Sequence, residues 1–160
     1  GDGAVDIRGR SSLCGADVMR VTYADAVPAG SRVAESVTSF AGAVALGNRT
    51  IDPSAASSVG VTVTDRDLHN VSSVLLYVSS SRLGEPSETL TLSADGACSL
   101  VPTFSGSLAT SPSGTPAEGD STIIVAPGDL LTFTYADAAP VGTAVAYARV
   151  ADDGTLALGP

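Results

Sequence analysis

The chain has 160 residues, a net formal charge of −9 and no lysine, because all eight of its basic residues are arginine. This acidic balance excludes the basic patches that nucleic acids require, and the absence of lysine excludes Schiff-base chemistry and P-loop phosphate binding. A hydrophobic fraction of 44% is sufficient for a folded core. We expect neither a signal peptide nor a segment that inserts into a membrane.

The first quarter of the chain is predicted to form strands. Residues 3–8 alternate apolar and polar positions over a short strand, and residues 17–33 predict a β-hairpin around a Pro-x-Gly turn. The return strand of this hairpin is predicted over residues 31–40. Residues 41–51 favour strand over helix, because glycines interrupt them and helix caps are lacking. Residues 52–58 form the best candidate for a linker.

The alternation becomes more regular after residue 59. Residues 61–64 predict a strand that ends in a turn at 65–70. The most hydrophobic run, VLLYV at 74–78, predicts a central strand that is buried on both faces. A further alternating segment at 89–92 and a strand carrying Phe104 follow.

A second hairpin, at residues 129–145, repeats the first at a constant offset of 112 positions. The segment Thr-Tyr-Ala-Asp-Ala occurs at 22–26 and again at 134–138, each time followed by Pro and Gly two positions apart. The apolar residues keep the same parity in both copies, so we expect both tyrosines to face a core. A repeat of this length indicates tandem modules. The residues that share this parity are Met19, Val21 and Tyr23 in the first copy, and Leu131, Phe133 and Tyr135 in the second.

About a dozen short strands, turns every 8–12 residues and no convincing helix predict an all-β sandwich fold. We predict two units: residues 1–58, a partial β module that contains the closing hairpin of a repeat, and residues 59–160, a complete module.

Residues 59–138 resemble a tandem immunoglobulin-like repeat of large bacterial and archaeal cell-surface proteins, of the adhesin-like and surface-layer type. The Asn at position 70 comes one residue later than in that pattern, and Cys98 lies near the place where the family has Asn-Thr-Gly. The resemblance implies an extracellular location and an immunoglobulin-like fold. It also implies that residues 1–40 are the closing strands of a preceding module. The matching segments are VTVTDRDLHN at 61–70, SETLTL at 87–92, FSGSLAT at 104–110 and APGDLLTFTYADA at 126–138.

A module that begins with its last strands has an incomplete sheet, which exposes unpaired backbone and an apolar face. A strand from a neighbouring subunit could complete that sheet, and head-to-tail exchange of this kind generates fibres. We therefore expect a self-assembling filament or surface-layer subunit, a head-to-tail homopolymer. The alternative is an adhesive or ligand-binding module for a surface glycan or host ligand. The candidate donated strands contain Val5 and Ile7, or Leu156 and Leu158.

Four oxygen-bearing side chains, from the turn after residue 64 and from the second hairpin, are candidate calcium ligands. Calcium takes six to eight oxygen ligands, and a site at the edge of a module would stiffen an array. The alternative is that aspartates at strand ends cap their own turns. These candidates are Asp65, Asp67, Asn70 and Asp137.

Two further predictions concern covalent chemistry. Cys14 and Cys98 would form a disulfide in an extracellular chain, with two buried free thiols as the alternative. Asn48 and Asn70 each begin an Asn-x-Ser/Thr sequence and are candidate glycosylation sites.

The sequence does not favour an enzyme. The single histidine, His69, lies in a turn, and no serine has the GxSxG context of a nucleophile elbow. Glu85 and Glu88 are too close along one loop to form a glycosidase pair. We expect Tyr77 in the buried strand and Tyr147 as the only exposed ring, which favours a structural role over sugar binding.

Overall fold

The computed structural model of the chain describes residues 4–12, 15–26, 29–96 and 101–152, and these residues form twelve strands and no helix. The predicted all-β class is therefore confirmed. No helix within these ranges could span a membrane. The strands are β1 Ala4–Ser12, β2 Gly15–Ala26, β3 Ala29–Val37, β4 Ala43–Leu46, β5 Thr50–Ile51, β6 Ser57–Thr64, β7 Ser73–Ser80, β8 Glu88–Ala94, β9 Thr103–Ser111, β10 Thr122–Ile124, β11 Leu130–Ala138 and β12 Val141–Val150.

The first three strands form an antiparallel sheet in the order β1-β2-β3. The predicted strand at 3–8 is present as the longer β1, and the predicted return strand ends at Val37 rather than at residue 40. None of residues 18–25 and 29–37 is buried. This N-terminal sheet therefore lacks a covered core face among the described residues.

The remaining strands form one nine-stranded sheet in the order β4-β6-β9-β8-β7-β11-β12-β5, with β10 paired to β9. The sheet curls, so that β4 at one end contacts β11 and β12 near the other. Since β4 and β5 pair with β6 and β12, the division between the two sheets falls between Val37 and Ala43. The division into modules at residue 58 stays a prediction.

The core lies inside the curled sheet, because its long strands place alternate residues on the inner face. Phe104 and Phe133 are the largest side chains that are fully buried there. Aliphatic residues fill the space around them, principally Val61, Val63, Leu76, Val78, Leu92, Leu108, Ile123 and Leu131.

The prediction that residues 74–78 are buried on both faces is wrong. Strand β7 is central, between β8 and β11, but its burial alternates, and Leu75 and Tyr77 are 50% and 48% exposed. An antiparallel sheet can have one face in the core and one in water. An apolar sequence run therefore does not establish burial on both sides.

Candidate assembly and binding surfaces

The two copies of the repeated hairpin have the same strand register. Tyr23 pairs with Arg32 as Tyr135 pairs with Ala144, and the offset of 112 holds for all nine residue pairs from Val18–Val37 to Ala26–Ala29. The predicted hairpins are thus confirmed, and each position in one hairpin has a defined equivalent in the other.

The equivalence extends to a third strand. Strand β1 pairs with β2 as β7 pairs with β11, since Ile7 pairs with Val21 and Val78 pairs with Phe133. The N-terminal sheet β1-β2-β3 therefore has the strand arrangement and register of β7-β11-β12. In the curled sheet, β4, β6, β9 and β8 complete the enclosure of the core, whereas the described part of the N-terminal sheet consists of three strands.

Burial differs sharply between equivalent positions. Leu131 is fully buried and Tyr135 is 4% exposed, whereas Met19, the equivalent of Leu131, is 46% exposed. Val21 and Tyr23 are only half-buried, so the prediction that Tyr23 faces a core is not matched by a core in the described residues. We call this surface the N-terminal inner face; its described residues are Met19, Val21 and Tyr23 of β2 and, opposite them on β3, Ser36, Ala34 and Arg32.

The outer face of β7-β11-β12 carries exposed aromatic and aliphatic side chains. Tyr77 and Tyr147 are 48% and 55% exposed, so the prediction of a single exposed ring is wrong. The strand register places Thr132 and Thr134 in the row between them. We call this surface the tyrosine face; it consists of Leu75, Tyr77, Thr132, Thr134, Val145 and Tyr147.

The equivalent outer face of the N-terminal sheet is charged. Asp6 stands at the position of Tyr77, and Glu35 at the position of Tyr147. Arg20 replaces Thr132, and its Nε lies 3.5 Å from Oε1 of Glu35. Both outer faces also carry other exposed residues, with Val33 and Val37 on the first and Arg149 on the second. The two exposed tyrosines, which replace carboxylates, mark the tyrosine face as a candidate interaction surface.

The structure places three of the four predicted calcium ligands, Asp65, Asp67 and Asp137, near the segment that precedes β4. Asp65 is 1% exposed; its Oδ2 accepts a hydrogen bond from the Tyr135 hydroxyl at 2.7 Å, and its Oδ1 accepts one from the backbone N–H of Asp67 at 2.9 Å. Asp137 is 8% exposed and accepts a hydrogen bond from the Ala139 N–H at 2.9 Å. These bonds satisfy carboxylates that would otherwise be costly to bury.

The same carboxylates hold the segment that connects the two sheets. The backbone N–H of Phe40 donates to Asp67 at 2.8 Å, and the N–H of Gly42 donates to Asp137 at 2.6 Å. A Cβ atom at Gly42 would lie 2.6 Å from the Tyr135 ring, so the close approach requires glycine. The Arg66 guanidinium stacks 5.0 Å from the centre of the Phe40 ring. The segment that connects the two sheets is thus held in place at Phe40 and Gly42.

Asn70, the fourth predicted ligand, lines a different surface. With Ser72 and Asp95 it borders an open cleft of about 420 Å³. Among the described residues, no group of three or more His, Cys, Asp or Glu side chains could hold a metal ion. The hydrogen bonds above give the aspartates a structural role, and calcium binding stays a prediction.

The Tyr135 hydroxyl makes the stability of the fold depend on pH in the alkaline range. Burial, the hydrogen bond to Asp65 and the neighbouring aspartate charges raise the pKa of Tyr135 above its ordinary value of 10.0. The unfolded chain ionises this tyrosine near pH 10.0, so the contribution of the hydroxyl is complete below that pH and is lost as the pH rises above it.

We expect Tyr135→Phe to cost about 1–3 kcal/mol at neutral pH, because it removes a buried donor from Asp65. Its free energy of unfolding should also fall less than that of the wild type at alkaline pH, because the contribution of the Tyr135 hydroxyl is absent. Urea denaturation at a series of pH values measures both effects, with Tyr147→Phe as the exposed control. If the wild type and Tyr135→Phe lose the same free energy of unfolding at alkaline pH, Tyr135 is not the source of the pH dependence.

Sequence reasoning missed the role of two glutamates, the buried Glu88 and the half-buried Glu85. Glu88 is fully buried, and its two carboxylate oxygens accept hydrogen bonds from the N–H groups of Gly119 and Ser121, both at 3.0 Å. Glu85 accepts one from the N–H of Ile124 at 2.9 Å. These bonds fix the loop at residues 112–121, which is rich in Ser, Pro and Gly and leads into β10. A Glu-x-x-Glu sequence between strands, followed by a long polar loop, is the available signal.

The other predicted sites fall in different regions. Cys14, Cys98, Leu156 and Leu158 lie outside the described residues, so the disulfide and the C-terminal donated strand stay predictions. Val5 and Ile7 belong to β1 and pair with Tyr23 and Val21 of the same chain. Asn48 and Asn70 are both exposed, as glycosylation requires.

Two open surfaces thus distinguish this chain: the N-terminal inner face and the tyrosine face. In comparison with known proteins, no protein-family model and no curated protein sequence matches the chain.

Proposed function

We propose that the chain is an extracellular structural protein whose copies assemble into a cell-surface filament or surface layer. One observation carries this proposal: the N-terminal sheet has the arrangement of half a sandwich, and its inner face is not buried by the described residues. Apolar sheet faces of this size are stable when another sheet covers them. A neighbouring subunit supplies that cover.

The order of the strands supports an immunoglobulin-like module for residues 43–150. The immunoglobulin fold has four strands in the order A-B-E-D on one sheet and three in the order C-F-G on the other. Strands β4-β6-β9-β8 and β7-β11-β12 follow these two orders, and the β7–β8 hairpin joins them. In this proposal the N-terminal sheet is the C-F-G half of a second module.

The proposed contact differs in detail from terminal strand exchange. Strand β1 is already paired with β2 over most of its length, so the proposed contact is made by the N-terminal inner face. Strands β1 and β3 are also the edges of their sheet, and a neighbouring strand could extend it by β-strand addition. The subunit thus has both a face and edges for self-association.

The test compares two aspartate substitutions in β2. We expect Val21→Asp, on the N-terminal inner face, to abolish the regular fibres or sheets that the wild type forms in negative-stain electron microscopy. Thr22→Asp changes the neighbouring residue on the opposite face and should leave assembly intact. Light scattering across a concentration series quantifies the difference. A wild type that remains monomeric at every concentration would overturn the proposed function.

A second candidate function is an adhesive or ligand-binding module. The tyrosine face favours it, because two exposed rings on a flat sheet form an aromatic platform of the kind that binds the apolar faces of sugars or a host-surface protein. Binding of soluble glycans that is lost in Tyr77→Ser and retained in Leu83→Ser would support this function.

A further inference from the structure

We propose that the tyrosine face of one subunit docks on the N-terminal inner face of the next copy. The inference deepens the proposed function, on which it rests, by naming the surface of the neighbouring copy that covers the N-terminal inner face. Both faces belong to three-stranded antiparallel sheets with the same register, and both expose apolar side chains. Each sheet therefore offers the other a partner of matching width and twist.

The size of the contact suits weak and reversible association. Three strands about 4.8 Å apart and nine residues long give each face a footprint of about 14 Å by 30 Å. Two such faces together bury about 840 Å², which is below the roughly 1,000 Å² of a stable specific interface and in the range of weak, reversible contacts. A contact of this size makes assembly depend on protein concentration, as in a polymer with a critical concentration.

The charge pattern of the chain favours the tyrosine face as the surface that covers the N-terminal inner face. Its six residues carry no charge, and the charged side chain that borders them on the same side of β12 is Arg149. The equivalent face of the N-terminal sheet carries Asp6, Arg20 and Glu35, so it would add three charges to a contact that already contains Arg32, at a high desolvation cost. Tyrosine suits an interface because its ring packs while its hydroxyl can stay at the wet rim.

The pairing of two different faces determines the kind of assembly. If two N-terminal inner faces packed on each other, the contact would be self-complementary and would close as a dimer, leaving the tyrosine faces exposed. The head-to-tail contact covers both surfaces in every subunit except those at the ends. A contact between different faces does not close unless its rotation forms a ring, so it generates a fibre.

The test gives the tyrosine face the residues that the first copy has at the same positions. The full-length double variant Tyr77→Asp/Tyr147→Glu is compared with Leu83→Ser, which removes a fully exposed leucine outside the face. We expect the critical concentration for assembly, measured by pelleting and electron microscopy, to rise by about tenfold or more in the double variant and to stay unchanged in the control.

A milder double variant, Tyr77→Thr/Tyr147→Thr, keeps residues that suit a strand and guards against simple unfolding. Its thermal midpoint should remain that of the wild type, while its critical concentration rises. If both double variants assemble as the wild type does and Val21→Asp does not, this docking is wrong and the proposed self-assembly stands. Closed dimers of the wild type would also overturn the docking. A wild type that never assembles would overturn both proposals.

Discussion

Leu131→Ala should lower the free energy of unfolding of the curled sheet by about 3–5 kcal/mol. Leu131 is fully buried in β11 and pairs with Ser80 of β7 and Ala148 of β12. Removal of its side chain leaves a cavity among packed neighbours that relax only in part, so the cost exceeds the transfer free energy of the lost methyl groups. Urea denaturation of the dispersed chain measures the change.

The matched variant is Met19→Ala, at the equivalent position of the first copy. Because Met19 is 46% exposed, the same truncation should cost less than about 1 kcal/mol in the dispersed chain. In the proposed assembly a neighbouring subunit would cover this side chain, so the loss should appear there as a higher critical concentration. Equal costs for the two substitutions in the dispersed chain would show that the N-terminal inner face is already covered.

Glu88→Ala should be the next most damaging change, with a loss of about 3 kcal/mol in the free energy of unfolding. The carboxylate is fully buried and accepts the N–H groups of Gly119 and Ser121, which would lose these partners. The loop before β10 should then detach, because its remaining glutamate contact is the bond from Ile124 to Glu85.

Denaturation and limited proteolysis of residues 112–121 measure the effect, with the exposed Glu118→Ala as the control. Glu88→Gln keeps the shape and one acceptor oxygen, so its cost should fall between those of the wild type and Glu88→Ala. If the loop remains resistant to protease in Glu88→Ala, Glu88 does not hold it in place.

The strands and the repeated hairpins could be predicted from the sequence because their signals are local. The alternation at residues 61–64 and the Pro-x-Gly sequences of both copies are each made by residues that lie only a few positions apart in the chain. The glycines at 42 and 47 likewise favoured strand over helix for residues 41–51, and β4 and β5 occupy that segment.

The features that could not be predicted depend on residues far apart in the chain. Asp65 meets Tyr135 across 70 positions, and Glu88 meets Gly119 across 31. The exposure of Tyr77 depends on whether anything covers the outer face of β7, which an apolar run such as VLLYV does not reveal. The sequence therefore predicted where the polar residues stand, but not which backbone groups they bind.

The parallel pairing of β5 with β12 has a mechanical consequence for any array of such modules. The backbone N–H groups of Arg149 and Ala151 donate to the carbonyls of Arg49 and Ile51, both at 2.9 Å. Tension along the chain would draw β5 towards its N-terminal side and β12 towards its C-terminal side. Two parallel strands drawn in opposite directions slide in shear, so their hydrogen bonds bear the load together instead of opening one after another.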